Sequence, residues 1–168
     1  MEFVRGLGEV GSALDLGAGD GRLAAELRAA ELTLADTSSV ALERARARLP
    51  GARAVTVEPD RPLPLADTSF DLVLCTDVVE HVRDLQLLLS EVRRVLRPDG
   101  RLALTTPAHG RLSGLDVLVR GFERQFDPLS PNVRFLTRRS LARLLDELGF
   151  DVARIRRRRG DLLVVATR

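Results

Sequence analysis

Short apolar segments alternate with amphipathic segments along this 168-residue chain, and the alternation predicts strands and helices in turn. The predicted strands cover residues 13–16, 32–35, 52–57, 70–76, 101–106, 150–155 and 161–167. Strands that alternate with helices form a parallel sheet covered on both faces. We therefore expect an α/β, doubly wound, mostly parallel seven-stranded sheet, whose last two strands form a hairpin at Gly160.

The clearest predicted helix spans residues 84–97, where leucines and valines recur from Leu85 at i, i+3, i+4, i+7, i+10 and i+11. The other predicted helices follow a capping residue: Asp20 before Leu23, Ala24 and Leu27; Ser38 or Ser39 before Val40, Ala41 and Ala45; and Thr137 before Leu141, Leu144, Leu145 and Leu148. Pro50-Gly51 and Gly149 would end the second and the last of these helices.

Three closely spaced glycines, Gly17, Gly19 and Gly21, follow the first predicted strand, and Asp36 ends the next one. Strand, glycine turn, helix, strand and acid is the order of a nucleoside-binding fold, in which the acid accepts hydrogen bonds from ribose hydroxyls. A dinucleotide site requires Gly-x-Gly-x-x-Gly, but Arg22 occupies the last position of that pattern. The spacing therefore disfavours a dinucleotide.

Asp15 lies just before the glycine turn and narrows the choice of ligand. Its carboxylate would repel a pyrophosphate, whereas it would attract an ammonium group by a few kcal/mol, roughly, at an effective dielectric constant of ~20. The predicted ligand is an adenosine that carries an amino acid, which is S-adenosylmethionine.

Three later segments extend this pattern: Leu-Pro-Leu-Ala-Asp-Thr-Ser-Phe-Asp-Leu-Val at 63–73, Asp-Val-Val-Glu-His-Val at 77–82, and Val-Arg-Arg-Val-Leu-Arg-Pro-Asp-Gly-Arg-Leu at 92–102. Together with the glycine turn they cover about residues 12 to 107, and the chain resembles the class I S-adenosylmethionine-dependent methyltransferases. The resemblance is to their small-molecule, ubiquinone-biosynthesis-like branch (methyltransferase type 11). It implies a Rossmann-like fold, one domain over 1–168, and methyl transfer by in-line displacement to a small-molecule acceptor.

The resemblance also implies which residues bind the cofactor: Asp15, Gly17, Ala18, Gly19, Gly21, Asp36, Thr37, Asp60 and Thr76. The first five would surround the methionine half, and Asp36 would accept from the ribose. Asp60 would accept from the adenine amino group. Here the sequence departs from the family, because the usual Gly-Asp is replaced by Val57-Glu58-Pro59-Asp60 and Pro59 has no backbone donor.

Methyl transfer from a sulfonium requires the nucleophile, methyl and sulfur to be held in line, and a general base is optional. Only two histidines are present. His81 follows the fourth predicted strand and His109 the fifth, so we expect both to face the crevice at the carboxyl ends of the strands. Alternatively, His81 only orients its loop and His109 is a solvated loop residue.

About ten residues precede the first predicted strand, where the family commonly has helices that cover the substrate site. Segment 107–135 is then a candidate lid. The alternatives are a surface excursion packed on the sheet, or a cover supplied by a second subunit of a homodimer.

The composition is 45% hydrophobic and 30% charged, which is typical of a soluble globular protein. No uncharged apolar run approaches the ~20 residues of a membrane span, and the first five residues lack a signal-peptide pattern. We therefore predict a cytoplasmic protein without membrane contact. Cys75, the single cysteine, lies in an apolar strand and is expected to pack as a small hydrophobe, and no cysteine and histidine cluster suggests a metal.

All 26 basic residues are arginine, yet the net charge is only +2 with a pI near 9.8. Acids are interspersed with the arginines except at Arg154 and Arg156–Arg159, beside the turn of the final hairpin. In the family's topology this turn lies at the carboxyl edge, where it would attract an acidic acceptor. The simpler interpretation is a strand edge charged against aggregation.

Three other functions compete with a small-molecule methyltransferase. A nicotinamide-dependent oxidoreductase is disfavoured by the glycine spacing and by Asp15. A binding module that keeps the cofactor without catalysis would fit the missing N-terminal cover. A nucleic-acid methyltransferase would fit the arginines, but no RNA-binding domain or Asn/Asp-Pro-Pro-Tyr motif accompanies them.

Overall fold

A computed structural model describes residues 2–109 and 133–168. It contains one seven-stranded sheet in the order β3-β2-β1-β4-β5-β7-β6. The strands are β1 Glu9–Leu16, β2 Arg28–Asp36, β3 Arg53–Thr56, β4 Phe70–Thr76, β5 Leu96–Pro107, β6 Asp151–Arg158 and β7 Asp161–Thr167. Neighbouring strands pair in parallel except β7, which is antiparallel to both β5 and β6. This confirms the predicted fold class, and β4 and β7 have the predicted bounds.

The described helices are α1 Glu2–Arg5, α2 Ser39–Arg48, α3 Leu85–Val95 and α4 Arg138–Glu147. Helices α3 and α4 share one core with Leu14 and Leu16 of β1, whereas α1 packs against the opposite face beside Ala13. Both faces of the sheet are therefore covered, as the alternating pattern predicts. None of the described helices is long and apolar enough to cross a membrane.

The helix predicted from Asp20 is wrong. Only a single 3₁₀ turn, Ala24–Glu26, lies between the glycine turn and β2. The reason is that β2 begins at Arg28 rather than at residue 32, since Glu9 pairs with Arg28, and the remaining connection is too short for a regular helix. Asp20 makes ion pairs with Arg22 and Arg48 instead of capping a helix.

The caps predicted at Ser38 and Thr137 are confirmed, since these residues accept from the N–H groups of Ala41 and Ser140 at the starts of α2 and α4. Asp84, predicted as the first residue of a helix, accepts from the Leu87 N–H at the start of α3. The predicted inward face of α2 is partly wrong, because Val40 is 54% exposed. Leu42 and Ala45 are the buried residues of that helix. Asp84 is a cap rather than part of α3, whose C-terminal end passes directly into β5 at Leu96.

Candidate active site

The glycine turn after β1 has the left-handed backbone that glycine adopts readily, with φ of 79° at Gly17, 54° at Gly19 and 77° at Gly21. The N–H groups of Gly17 and Ala18 both donate to the carbonyl of Ala35, at 2.8 and 3.0 Å. The turn is therefore fastened to the end of the neighbouring strand β2.

Asp36, the last residue of β2, binds this turn through its side chain. Its Oδ2 accepts from the Gly19 N–H at 2.8 Å, and its Oδ1 accepts from the Ser38 N–H at 2.9 Å. Each oxygen accepts one hydrogen bond in this arrangement, so the carboxylate keeps acceptor capacity for a ligand. The role of Asp36 toward a ribose stays a prediction, and the structure adds a second role in shaping the turn.

A cavity of about 740 Å³ opens beside the glycine turn, between the carboxyl ends of the strands and the start of α3. Five predicted site residues line it: Gly17, Asp36, Thr37, Asp60 and His81. Six others do not: Asp15, Ala18, Gly19, Gly21, Thr76 and His109. The structure thus gathers about half of the predicted set around one cavity, at the edge of the sheet where open α/β folds bind ligands.

Asp15 has the most unusual environment in the described part of the chain. It is 1% exposed, and neither of its carboxylate oxygens has a hydrogen-bond partner there. Burial, with a smaller contribution from the nearby Asp36 carboxylate, raises the pKa of Asp15 to about 7. A buried unpaired carboxylate beside a second one suits a cationic ligand, because a positive charge stabilises the ionised form of both.

Asp60 lies in the loop after β3 with a φ of 53°. Its Oδ1 accepts from the Asp84 N–H at 2.9 Å and so joins this loop to the start of α3. The adjacent Glu58 and Pro59 also line the cavity. The adenine contact predicted for Asp60 stays a prediction, and one of its carboxylate oxygens already accepts from the Asp84 N–H at the edge of the cavity.

The two histidines occupy different surroundings. His81 lies on the cavity wall. His109 packs its ring edge-on against Phe135, with ring centroids 4.9 Å apart. The backbone N–H of His109 donates to the Leu136 carbonyl at 3.0 Å. Burial lowers the pKa of His109, which favours its neutral form. His81 alone therefore lines the cavity that both were expected to face.

Sequence reasoning missed two acids just after β4. Asp77, with a φ of 54°, lines the cavity and accepts from the Thr105 hydroxyl at 2.9 Å. Glu80 is buried, accepts from the Thr106 hydroxyl at 3.1 Å, and has a pKa raised by desolvation. Both follow the end of a strand, so the rule that selected His81 also indicates these acids.

The arginine-rich hairpin lies at the carboxyl edge, as predicted, because Pro107 at the end of β5 pairs with Asp161. Arg158 makes an ion pair with Glu2 at 2.6 Å. Within residues 2–109 and 133–168, no ion pair involves the other four arginines of the cluster, Arg154, Arg156, Arg157 and Arg159. The acidic acceptor stays a prediction. Most of the candidate lid 107–135 lies outside the described residues.

Comparison with known proteins places this geometry in a family. A family model described as a methyltransferase domain matches residues 14–104, and the chain belongs to this family of S-adenosylmethionine-dependent enzymes. S-adenosylmethionine is its cofactor. The unpaired Asp15 beside Asp36 fits the positively charged amino acid of that cofactor, and the dinucleotide alternative is not supported.

Two relatives and one solved structure are similar to this chain. A malonyl-[acyl-carrier protein] O-methyltransferase of Methylococcus capsulatus is 36% identical over 148 residues, which cover 84% of this chain and 52% of the relative. A ubiquinone biosynthesis O-methyltransferase of Neisseria meningitidis is 30% identical over 151 residues, which cover 83% of this chain and 63% of the relative. The structure of an S-adenosylmethionine-dependent methyltransferase from Mesorhizobium loti aligns with a TM-score of 0.76 and 23% identity. The alignment covers 99% of this chain and 96% of that structure. The chain spans about half the length of the first of these relatives.

The glycine turn leads to a prediction about stability. A Cβ on Gly17 would lie 2.3 Å from Val78 Cγ2, whereas a Cβ on Gly19 would meet nothing within 4 Å. Both positions have positive φ, so the variants share a backbone cost and differ in the clash. We expect Gly17→Ala to lower the free energy of unfolding by about 2 kcal/mol and Gly19→Ala by about 1 kcal/mol in urea titrations. The double variant Gly17→Ala/Val78→Ala should relieve the clash, and equal costs for the two single variants would contradict this explanation.

Proposed function

We propose that this chain transfers the methyl group of S-adenosylmethionine to an oxygen atom of a small-molecule acceptor, with residues 1–168 acting as one catalytic domain. The observation that carries the proposal is the buried carboxylate of Asp15, which has no described partner and whose pKa is raised by burial and by Asp36. The names of the O-methyltransferase relatives support an oxygen acceptor. The cytoplasmic location and a homodimer remain predictions from the sequence.

The cofactor supplies a methyl group on a sulfonium, which is already activated for transfer. Asp15 would attract the ammonium group, and the glycine turn lets backbone approach the ligand closely. Asp36 would accept from the ribose hydroxyls with its remaining lone pairs. His81, on the cavity wall, would accept the proton of an acceptor hydroxyl as that oxygen attacks in line.

The cofactor part of this proposal is tested by calorimetry on the purified chain. We expect S-adenosylhomocysteine to bind and NADH to show no heat of binding. Failure of S-adenosylhomocysteine to bind, or equal affinity for NADH, would refute the proposed function.

The role of His81 is tested with an acceptor that the wild type methylates. His81→Ala should lower turnover by a factor of roughly 10² while the dissociation constant of S-adenosylhomocysteine changes little, because a general base acts on the acceptor only. His109→Ala is the matched control and should keep turnover near that of the wild type. A parallel loss of affinity and turnover in His81→Ala would assign His81 to cofactor binding, and wild-type binding with no turnover on any acceptor would favour the non-catalytic alternative.

A further inference from the structure

Four consecutive residues between β4 and α3, His81 to Asp84, form one wall of the cavity. The backbone of this wall is held at its two ends. At one end the Asp84 N–H donates to Asp60 Oδ1. At the other end the carbonyl of Glu80 accepts from the Val133 N–H at 2.8 Å. The wall residues 81–84 thus lie between two attachments that come from distant parts of the chain.

Arg134 makes the contacts between these attachments. Its Nε donates to the Val82 carbonyl at 3.0 Å, and its Nη2 donates to the carbonyl of Arg83. Because a guanidinium is planar and rigid, one group fixes the orientation of two successive peptide units. Arg134 itself does not line the cavity. Any influence of Arg134 on a ligand by contact must therefore pass through the wall.

On its outer side the wall borders a second space. An open cleft of about 510 Å³ lies there and is lined in part by Arg134, and it shares Asp60, Arg83 and Asp84 with the cavity. These shared residues separate two spaces that solvent can enter. The backbone near Arg134 is held in place, because Leu136 is buried and its carbonyl accepts from the backbone N–H of His109.

We propose that Arg134 is a positioning residue for the cofactor cavity: by binding the Val82 and Arg83 carbonyls it sets the wall 81–84, and with it the place of His81. The inference rests on the proposed function for its consequence, which is cofactor affinity. The effect of Arg134 on the wall can be measured in the ligand-free protein.

Arg134→Met keeps much of the aliphatic stem and removes every donor. We expect the dissociation constant of S-adenosylhomocysteine to rise about tenfold, which corresponds to the loss of roughly one charge-assisted hydrogen bond. Backbone amide exchange at residues 81–84 should become faster. Arg134→Lys keeps the charge but not the planar fork, so it should give an intermediate affinity. The matched control is Arg138→Met, because Arg138 is an exposed residue at the start of α4.

The chain has two histidines, so its imidazole proton signals in NMR spectra can be assigned with one His81→Gln variant. In the ligand-free protein, Arg134→Met should change the chemical shifts of the His81 imidazole protons, and Arg138→Met should leave them as in the wild type. Unchanged amide exchange and unchanged His81 chemical shifts would overturn the proposal. If wild-type S-adenosylhomocysteine binding fails, the proposed function falls, and these two readouts still decide the role of Arg134. If Arg134→Met does not fold, Arg134→Lys decides by the same measurements.

Discussion

Replacing Asp15 with asparagine will make the ligand-free protein more stable above neutral pH and weaken its binding of S-adenosylhomocysteine. In the folded protein the pKa of Asp15 is about 7, because the carboxylate is buried without a described partner and lies near Asp36. In the unfolded chain the same group has an ordinary pKa near 3.8. The folded state therefore binds the proton more tightly than the unfolded state does.

The sign of the pH dependence follows from this difference. A group whose pKa is raised by folding contributes stability at low pH, and that contribution is lost as the pH rises from about 4 to about 7. At about 1.4 kcal/mol per pKa unit, the unfolding free energy of the wild type falls by about 4 kcal/mol over the whole interval. Between pH 5 and pH 8 it falls by about 3 kcal/mol. Asparagine does not ionise, so the unfolding free energy of Asp15→Asn does not fall in this way as the pH rises.

The measurement is a pair of urea titrations of each protein, at pH 5 and at pH 8. Groups distant from Asp15 titrate equally in both proteins, so the difference between wild type and variant reports mainly on Asp15. The variant should gain about 3 kcal/mol relative to the wild type on going from pH 5 to pH 8. Asp36→Asn tests the second cause of the shift: without that carboxylate the pKa of Asp15 should lie lower, so the loss of stability between pH 5 and pH 8 should be smaller than in the wild type. A difference that does not change with pH would show that Asp15 titrates normally in the folded protein.

Binding should show the opposite dependence on pH. Ionised Asp15 attracts the ammonium of S-adenosylhomocysteine, and the ionised fraction rises with pH through the pKa near 7. We expect the affinity of the wild type to rise roughly eightfold between pH 6 and pH 7.5, whereas Asp15→Asn binds weakly with little pH dependence. The residue that lowers the stability of the free protein is thus expected to stabilise the complex.

Arg94→Met will be the most destabilising of the charge-removing substitutions in α3. All five N–H donors of Arg94 are used: both carboxylate oxygens of Glu91 accept at 2.7 and 2.8 Å, and the Leu63 carbonyl, the Leu65 carbonyl and Asp67 accept the others. Removing the guanidinium leaves the Glu91 carboxylate, which has a side-chain exposure of only 12%, without its counter-charge. We expect a loss of about 3 to 4 kcal/mol in unfolding free energy.

The control for this prediction is Arg93→Met, one position earlier in the same helix. Within the described part of the chain, Arg93 donates one exposed hydrogen bond, to the Gly149 carbonyl, so its loss should cost less than about 1 kcal/mol. A double-mutant cycle with Glu91→Gln tests the cause, because the double variant should cost less than the sum of the single ones. Equal effects of Arg93→Met and Arg94→Met would contradict the assigned role of the network.

Much of the fold could be predicted because its signals are local. Strands β4 and β7 contain the apolar runs 72–75 and 162–166, and the helix caps Ser38 and Thr137 are at the predicted places. The missing helix after the glycine turn could not be predicted, since Leu23 and Leu27 have helical spacing and do pack inward. Pairing of Arg28 with Glu9 decides the outcome, and this contact between separate strands has no local signal.

The candidate site divides in the same way. Residues at strand ends, such as Asp36 and His81, can be selected from their position in the sequence, and both line the cavity. Arg134 was not found, because its effect on the wall depends on a hydrogen bond to Val82, more than fifty residues away in sequence. The raised pKa of Asp15 also depends on burial, which a motif does not report.

The order in which the strands are made has a consequence for synthesis. Strand β7 lies inside the sheet, between β5 and β6, although it comes after both in sequence. Until residues 161–167 have left the ribosome, β5 has an unpaired edge and β6 has no neighbour. A nascent chain that pauses before this point exposes an apolar strand to pairing with other chains, so its completion depends on the last few residues of the sheet.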